Sequence, residues 1–209
     1  METEEKSHLN NLSHAVPPWL TRITQRMYEE SRLFPSAINH VLINEYLPNQ
    51  GIMPHQDGPA YFPVVAILSL GSRVVMDFTP HPSLTNSVNT VRNNVEDTIS
   101  ARALENESEK LLDSYDPFSV VLMPCSLLIF KDKAYSDYLH GIKDCEVQHF
   151  TGAVNVAETL KFLRVNQSPP PSEKVTEEKR TADSVHRTTS RISLTCRVVS
   201  KVHKNLFKF

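Results

Sequence analysis

A histidine and an aspartate separated by one residue, His55 and Asp57, form the first pair whose types and spacing could do chemistry. In an extended strand, or at its end, side chains two residues apart point the same way, so the imidazole and carboxylate would share one face. Such a pair can hold one side of a metal ion. The alternative is an ordinary loop histidine followed by a turn-forming aspartate before Gly58.

A metal site built on this pair needs a third ligand, and His140 in the segment YLHGI is the strongest candidate. It follows an aromatic-rich segment and precedes a glycine that permits a sharp turn. His81 and His149 are the alternatives, although each also fits an ordinary surface histidine. Two histidines and one carboxylate on one face of an ion favour non-haem Fe(II) and oxygen chemistry, because this set leaves coordination positions open. Zinc is the alternative metal, but the sequence shows no water-activating zinc design.

The segment RISLTCR (191–197) raises the question of an anionic ligand. In a strand, one of its faces would carry two arginines and two hydroxyls: Arg191, Ser193, Thr195 and Arg197. Arginines that point inward need anionic partners, because a buried unpaired guanidinium is costly. A small dicarboxylate is a natural partner, since the guanidinium fork pairs bidentately with a carboxylate. The alternative is a sheet whose polar face meets water.

Asn44 and Tyr46 form a similar polar pair on an earlier predicted strand, HVLINEYL (40–47). They share one face and lie in an otherwise apolar segment. They either face the same site as the arginines or belong to the solvated outer face of an antiparallel sheet.

The elements that must position these residues are mostly strands. Trp19, Ile23 and Met27 recur at helical spacing behind a Pro-Pro start, which predicts one helix over 17–33. Strands are predicted at 40–47, 52–57, 63–70, 73–78, 118–123, 127–130 and 186–202. Two hairpins are expected, 63–70 with 73–78 and 118–123 with 127–130. The segments at about 80–116 and 145–185 are interpreted as insertions, with 80–116 and 165–185 forming no packed element. The pattern predicts a mainly β fold, a sandwich or jelly roll.

Composition narrows the class of protein. The 209 residues carry a net charge of −2, which argues against a strongly basic nucleic-acid binder but leaves room for a local basic patch. Three widely spaced cysteines without a CxxC pair indicate reduced thiols inside the cell. The polar tail 1–16 is unlike a signal peptide, and no apolar run approaches the ~20 residues of a membrane span. We therefore expect a cytoplasmic or nuclear monomer without membrane contact, with one domain over 17–202 and a basic tail at 203–209.

Together these motifs resemble the AlkB family of Fe(II)- and 2-oxoglutarate-dependent dioxygenases. NEYLPNQGIMPHQDGP (44–59), LHGI (139–142) and RISLTCR (191–197) match the family's Asn-x-Tyr, HxD, distal His and RxNxTxR motifs in order. GIMPHQDGPAYFP and SLGSRVVMDF are more narrowly similar to the sixth animal branch of that family. The resemblance covers most of the chain from Pro17 to Val199.

The resemblance implies a fold, an iron site and a reaction. The fold is a double-stranded β-helix, the cupin-like form of the jelly roll, with His55, Asp57 and His140 as the iron ligands. The implied reaction is oxidative demethylation of alkylated DNA or RNA, which uses 2-oxoglutarate and O₂ and releases succinate, CO₂ and formaldehyde. Such an enzyme must take its base out of a duplex or accept it single-stranded.

The resemblance also assigns the co-substrate residues. Tyr46 and Arg191 would hold the distal carboxylate of 2-oxoglutarate, while Asn44 and Arg197 would lie near the end that chelates iron. Ser193 stands where the family motif has asparagine, which implies a weaker contact near the iron.

Evidence for the substrate is limited to aromatic and basic residues. Tyr61 and Phe62 follow the HQD segment and could stack on a base, or they could simply cover the rim of the barrel. Basic residues without acidic neighbours end the sequence and could track phosphates or belong to a solvated strand: Arg187, Arg191, Arg197, Lys201, Lys204 and Lys208.

The main departure from the family lies at the start of the chain, where METEEKSHLNNLSH replaces upstream sequence that builds outer strands and part of a lid. The alternatives to a nucleic-acid demethylase are therefore a catalytically impaired jelly-roll binding module and a dioxygenase that acts on protein.

Overall fold

The computed structural model describes residues 16–84, 115–165 and 184–200. Its helices are α1 (Pro18–Ser31), α2 (Lys133–Ser136) and α3 (Val156–Val165). Its strands are β1 (His40–Tyr46), β2 (Ile52–His55), β3 (Val64–Gly71), β4 (Val74–Pro80), β5 (Phe118–Leu122), β6 (Ser126–Lys131), β7 (Tyr138–Ile142), β8 (Val147–His149), β9 (Ser184–His186) and β10 (Arg191–Arg197). Within these ranges no helix is long and apolar enough to cross a membrane.

Two four-stranded antiparallel sheets form the body of the protein. The first has the order β1-β10-β3-β6 and the second β2-β7-β4-β5, while β8 and β9 make a separate two-stranded ribbon. Chain connections repeatedly pass from one sheet to the other, as from β1 to β2, β2 to β3 and β3 to β4. This is the double-stranded β-helix form of the jelly roll, and the predicted fold class is confirmed.

The two predicted hairpins are wrong. Strand β3 pairs with β10 and β6, whereas β4 pairs with β5 and β7, so the turn at Gly71 joins opposite sheets. Gly71 has a φ of 76°, and the N–H of Ser72 donates to the carbonyl of Ser190 instead of closing a hairpin. Likewise β5 and β6 lie in different sheets, and Cys125 between them adopts a φ of 59°. Both segments are turns, as their residue types predict, but each turn leads the chain from one sheet to the other and does not close a hairpin.

Helix α1 covers the outer face of the first sheet. Proline lies in its first turn, and Arg32 ends it in a left-handed conformation, close to the predicted 17–33. Leu20 and Met27 are buried in the same cluster as Leu194 and Cys196 of β10. Because the apolar side of β10 packs against this cluster, its other side must face the space between the two sheets.

The predicted insertion at 145–185 contains packed structure in its first half. Phe150, Ala153 and Val185 form a buried cluster with Val75 and Val121, beside helix α3. The predicted strand 186–202 is two strands, because β9 ends at His186 and β10 begins at Arg191. Residues 85–114 and 166–183, which include most of the segments interpreted as unpacked, lie outside the described residues, as do both tails.

Candidate active site

His55 and His140 face each other across neighbouring strands. They are direct partners in the antiparallel pair of β2 and β7, and their ring centroids are 4.4 Å apart. The strands approach closely because residue 141 is glycine: a Cβ there would lie 2.9 Å from the backbone nitrogen of Pro54. Asp57 follows β2, and its Oδ2 lies 3.9 Å from Nε2 of His140. The structure thus brings the three predicted metal ligands together.

The carboxylate of Asp57 has one engaged and one free oxygen. Its side chain is only 2% exposed, and Oδ1 forms an ion pair with Arg197. Oδ2 is buried and has no hydrogen-bond partner among the described residues. Burial raises the pKa of Asp57, and the charge of Arg197 opposes that shift. A buried carboxylate oxygen without a hydrogen-bond partner, 3.9 Å from an imidazole nitrogen, is where a divalent cation would replace the missing partner.

Both imidazoles suit metal binding. Burial, followed by the neighbouring His55 and Arg197, lowers the pKa of His140 to about 3, so its ring is neutral and keeps a lone pair. Nδ1 of His55 lies 2.8 Å from the carbonyl oxygen of Met53, which favours the tautomer that leaves Nε2 free for a metal.

The three side chains do not form a closed cage. In the part of the chain that the structure describes, no three His, Cys, Asp or Glu side chains are arranged so that they could hold a metal ion as they stand. The alternatives to His140 lie elsewhere: His149 is exposed on the β8–β9 ribbon, and Nδ1 of His81 lies 2.7 Å from the hydroxyl of Ser83. The geometry therefore favours His140, and metal binding would require Asp57 to reorient slightly or share its carboxylate with Arg197.

Arg191 is the largest fully buried side chain in the described residues, at 1% exposure. It donates from Nη2 to the hydroxyl of Ser69 at 3.0 Å, and its guanidinium lies 5.5 Å from the centre of the Tyr46 ring. Its Nε has no partner, and no carboxylate in the described ranges lies within 4.0 Å of it. Burial lowers its pKa to about 10, which still leaves it charged at neutral pH. A buried cation of this kind calls for an anionic ligand.

The predicted polar face of β10 lines a cavity between the two sheets. Its lining combines this face with residues of β1, β2, β3, β4 and β7: Leu42, Asn44, Tyr46, Ile52, His55, Ile67, Met76, His140, Ile142, Arg191, Ser193, Thr195 and Arg197. Asn44 donates to the hydroxyl of Tyr46 at 3.2 Å and lies opposite Ser193 in the strand register. One end of this cavity therefore holds the histidines, and the other holds Arg191 and Tyr46.

The two aromatic residues proposed for stacking lie in different places. The guanidinium of Arg197 is 4.7 Å from the centre of the Tyr61 ring, and the ring of His40 is 5.2 Å away. Tyr61 therefore lies beside the ion pair of Asp57. Phe62 instead packs against the cluster under helix α1, on the side of the sheet away from the cavity.

Two site residues were missed from the sequence. Ser69 is fully buried and accepts the hydrogen bond of Arg191. The sequence could have identified Ser69, because it alternates with Val65 and Ile67 on the face of β3 that points towards the cavity. Arg187 is 2% exposed and donates to the carbonyl of Leu47, the residue after Tyr46. It precedes β10 in an irregular segment, where periodicity gives no direction.

Comparison with known proteins shows the family to which the chain belongs. Residues 2–197 match the model of the 2OG-Fe(II) oxygenase superfamily, and the chain belongs to that superfamily. A zebrafish (Danio rerio) protein named "Probable RNA/DNA demethylase ALKBH6" is 31% identical over 198 residues, covering 94% of this chain and 68% of its own length.

Two further similarities are more limited. Uncharacterized protein L905 of Acanthamoeba polyphaga mimivirus is 31% identical over 78 residues, 37% of each chain. The solved structure of OsALKBH1 is 18% identical, with a TM-score of 0.43, and the match covers 88% of this chain and 66% of that one.

Proposed function

We propose that this protein is an AlkB-type dioxygenase that binds Fe(II) through His55, Asp57 and His140 and removes N-methyl groups from alkylated RNA or DNA. Membership of the superfamily supports Fe(II) and 2-oxoglutarate as the groups that bind, and the lining of the cavity supports the residues assigned to hold them. One observation carries most weight: the buried Oδ2 of Asp57, which has no hydrogen-bond partner among the described residues, lies 3.9 Å from Nε2 of His140. His140 and His55 line one end of the cavity. At the other end is the buried Arg191, which has no carboxylate partner in the described ranges.

Each group of residues has a distinct task in this proposal. Bound Fe(II) and 2-oxoglutarate supply the oxidation, in which O₂ is consumed, 2-oxoglutarate becomes succinate and CO₂, and a C–H bond of the substrate is hydroxylated. Arg191 and Tyr46 hold the distal carboxylate, with Ser69 orienting the guanidinium. Asn44, Ser193 and Arg197 line the path towards the metal.

The cavity also controls water and geometry. Its walls between the polar ends are partly apolar, with Leu42, Ile67 and Met76 among the lining residues. An apolar wall limits bulk water and keeps the co-substrate in one orientation. A hydroxylated N-methyl group is a hemiaminal, which breaks down to formaldehyde and the free amine without further help from the protein.

Nucleic acid is the substrate class that the observations favour. The zebrafish relative is named as a probable RNA/DNA demethylase. Tyr61 lies next to the Arg197–Asp57 pair, where one aromatic ring could contact a flipped or single-stranded base. A cytoplasmic and nuclear location, as the sequence suggests, would give access to both RNA and DNA.

The experiment is an anaerobic titration of the purified protein with Fe(II) and 2-oxoglutarate. We expect the visible charge-transfer band of chelated iron, and its loss in His140→Ala and Arg191→Ala. Methylated RNA and DNA oligonucleotides would then be tested for formaldehyde release. A folded wild-type protein that gives no band would contradict the enzyme proposal.

A binding module is the second candidate. It is favoured by the ion pair between Asp57 and Arg197, which occupies one of the predicted metal-ligand oxygens. A module of this kind would bind methylated oligonucleotides without forming the iron band or releasing formaldehyde. Formaldehyde release from a methylated peptide, and not from an oligonucleotide, would instead indicate a protein substrate.

A further inference from the structure

Arg187 is a second buried arginine outside the predicted site. Its side chain is almost inaccessible to solvent, and its Nε has no hydrogen-bond partner in the part of the chain that the structure describes. Within the described ranges no carboxylate lies within 4.0 Å of its guanidinium. Burial lowers its pKa, and the neighbouring Cys145, followed by Asp144, opposes this shift. A buried cation held without an ion pair is costly, so its position needs an explanation.

The contacts of Arg187 join two connections of the barrel. Nη2 donates to the carbonyl of Leu47 at 3.0 Å, and Nη1 donates to the carbonyl of Cys145 at 3.4 Å. Its own backbone N–H donates to the carbonyl of Glu146 at 2.8 Å. Asp144 adds a second tie by accepting from the N–H of Gly51. The β1–β2 connection is therefore fixed against the β7–β8 connection.

The contacts of Arg187 lie next to the end of the cavity that holds Arg191. Leu47 immediately follows Tyr46, which is the register partner of Arg191 and lies against its guanidinium. The charge of Arg187 is also close enough to lower the pKa of Arg191. The guanidiniums of Arg187 and Arg191 therefore both add positive charge at this end of the cavity, and Arg191 is the one that lines it.

We infer that Arg187 is a positioning residue that orients Tyr46 and adds a second positive charge, so that this end of the cavity selects a co-substrate with a distal carboxylate. The inference rests on the proposed function and extends it to specificity. Arg187 does not contact the co-substrate. It acts through Tyr46 and through the electrostatic field around Arg191.

The test compares two ligands of equal chain length. Binding of 2-oxoglutarate and of 2-oxopentanoate, which lacks the distal carboxylate, is measured by calorimetry with Mn²⁺ in place of Fe(II), so that no turnover is needed. In Arg187→Gln we expect the affinity for 2-oxoglutarate to fall about tenfold, with less than about a twofold change for 2-oxopentanoate. Arg187→Lys keeps the charge and should keep the ratio of the two affinities near the wild-type value.

Two controls separate charge from support of the fold. Asp144→Ala removes the hydrogen bond from Gly51 but keeps the charge of Arg187 and its hydrogen bond to Leu47, beside Tyr46, so the affinity ratio should stay near the wild-type value. Arg22→Gln removes one exposed positive charge on α1 and should change neither ligand. If Arg187→Gln does not fold, Arg187→Lys decides, because a collapse of its affinity ratio would overturn the inference.

The outcomes are distinguishable. Equal losses for both ligands in Arg187→Gln would show that Arg187 only supports the fold. The same lowered ratio in the Gln and Lys variants would show that its charge does not set the selectivity. Either result would overturn the inference. A wild-type protein that binds neither ligand would overturn the proposed function as well.

Discussion

The Nε2 atom of His140, in strand β7, lies 3.9 Å from Oδ2 of Asp57, in the segment that follows strand β2. The imidazole is neutral, and the carboxylate oxygen has no hydrogen-bond partner in the described residues. The pair therefore gains little from direct contact, and a cation between the two atoms would satisfy both.

Divalent metal should stabilise the protein through these residues. Under anaerobic conditions, Fe(II) at about 100 times its dissociation constant adds about 2.7 kcal/mol to the free energy of unfolding. For a chain of this size that corresponds to a rise in Tm of roughly 5–10 °C. Thermal unfolding followed by circular dichroism measures the shift. We expect it to disappear in Asp57→Ala and His140→Ala.

His149→Ala is the matched control for the metal prediction. His149 is exposed on the ribbon of β8 and β9, so this variant should keep the full thermal shift. A shift lost in His149→Ala and retained in His140→Ala would show that the third ligand has been misassigned.

Arg191→Met should separate stability from co-substrate binding. The guanidinium is buried without a carboxylate partner, so an apolar side chain of similar length should leave the Tm of the unliganded protein unchanged or raised. Binding of 2-oxoglutarate, measured by calorimetry, should weaken roughly 100-fold because a charge-assisted hydrogen bond is lost. A variant that unfolds more easily and binds normally would contradict this assignment. Ser69→Ala is the milder comparison, with a loss of about tenfold or less.

Gly141→Ala should disturb the contact between β2 and β7. The new Cβ would lie 2.9 Å from the nitrogen of Pro54 and 3.0 Å from the carbonyl oxygen of Ile52, so the two backbones must separate. We expect a loss of about 1–3 kcal/mol in the free energy of unfolding, measured with urea, and weaker metal binding. Gly152→Ala is the control, since a Cβ there has no neighbour within 4 Å, and its effect should stay within about 0.5 kcal/mol.

The three cysteines should differ in reactivity. Burial raises the pKa of Cys196 to about 11. At any pH below 9, its thiolate fraction is therefore about 100-fold lower than it would be for a thiol with the ordinary pKa. Cys125 is exposed and Cys145 partly exposed. With a thiol reagent at pH 8, Cys125 should react first and Cys196 only after denaturation, as peptide mass mapping would show. Rapid labelling of Cys196 in the native protein would be inconsistent with its place under helix α1.

The faces of the strands could be predicted from the sequence, because alternation in a half-buried strand is a local property. Arg191 and Arg197 were expected on one side of β10, and both line the cavity. Strand partners are not a local property. The Gly71 turn resembles a hairpin turn in its residue types, yet Val64–Gly71 and Val74–Pro80 pair in opposite sheets. Only the whole topology decides which neighbour a strand meets.

Site residues that belong to sequence motifs could be predicted, whereas residues whose position depends on tertiary packing could not. Residue type and spacing predict His55, Asp57 and His140, and the structure brings these three side chains together. Arg187 was placed with the basic residues at the end of the sequence, among possible phosphate contacts. Its burial depends on carbonyl groups of two distant connections, which no local pattern reveals.

Strand β10 lies between β1 and β3, and among the strands that the structure describes β1 pairs with β10 alone. During synthesis, the strand that carries Asn44 and Tyr46 therefore has no partner until the ribosome has released residues 191–197. Closure of the barrel and assembly of the arginine end of the cavity become one late event, which depends on contacts between distant parts of the sequence. A nascent chain stopped before Arg191 would expose the edge of β3 and leave β1 unpaired, so it would be a substrate for chaperones rather than a smaller enzyme.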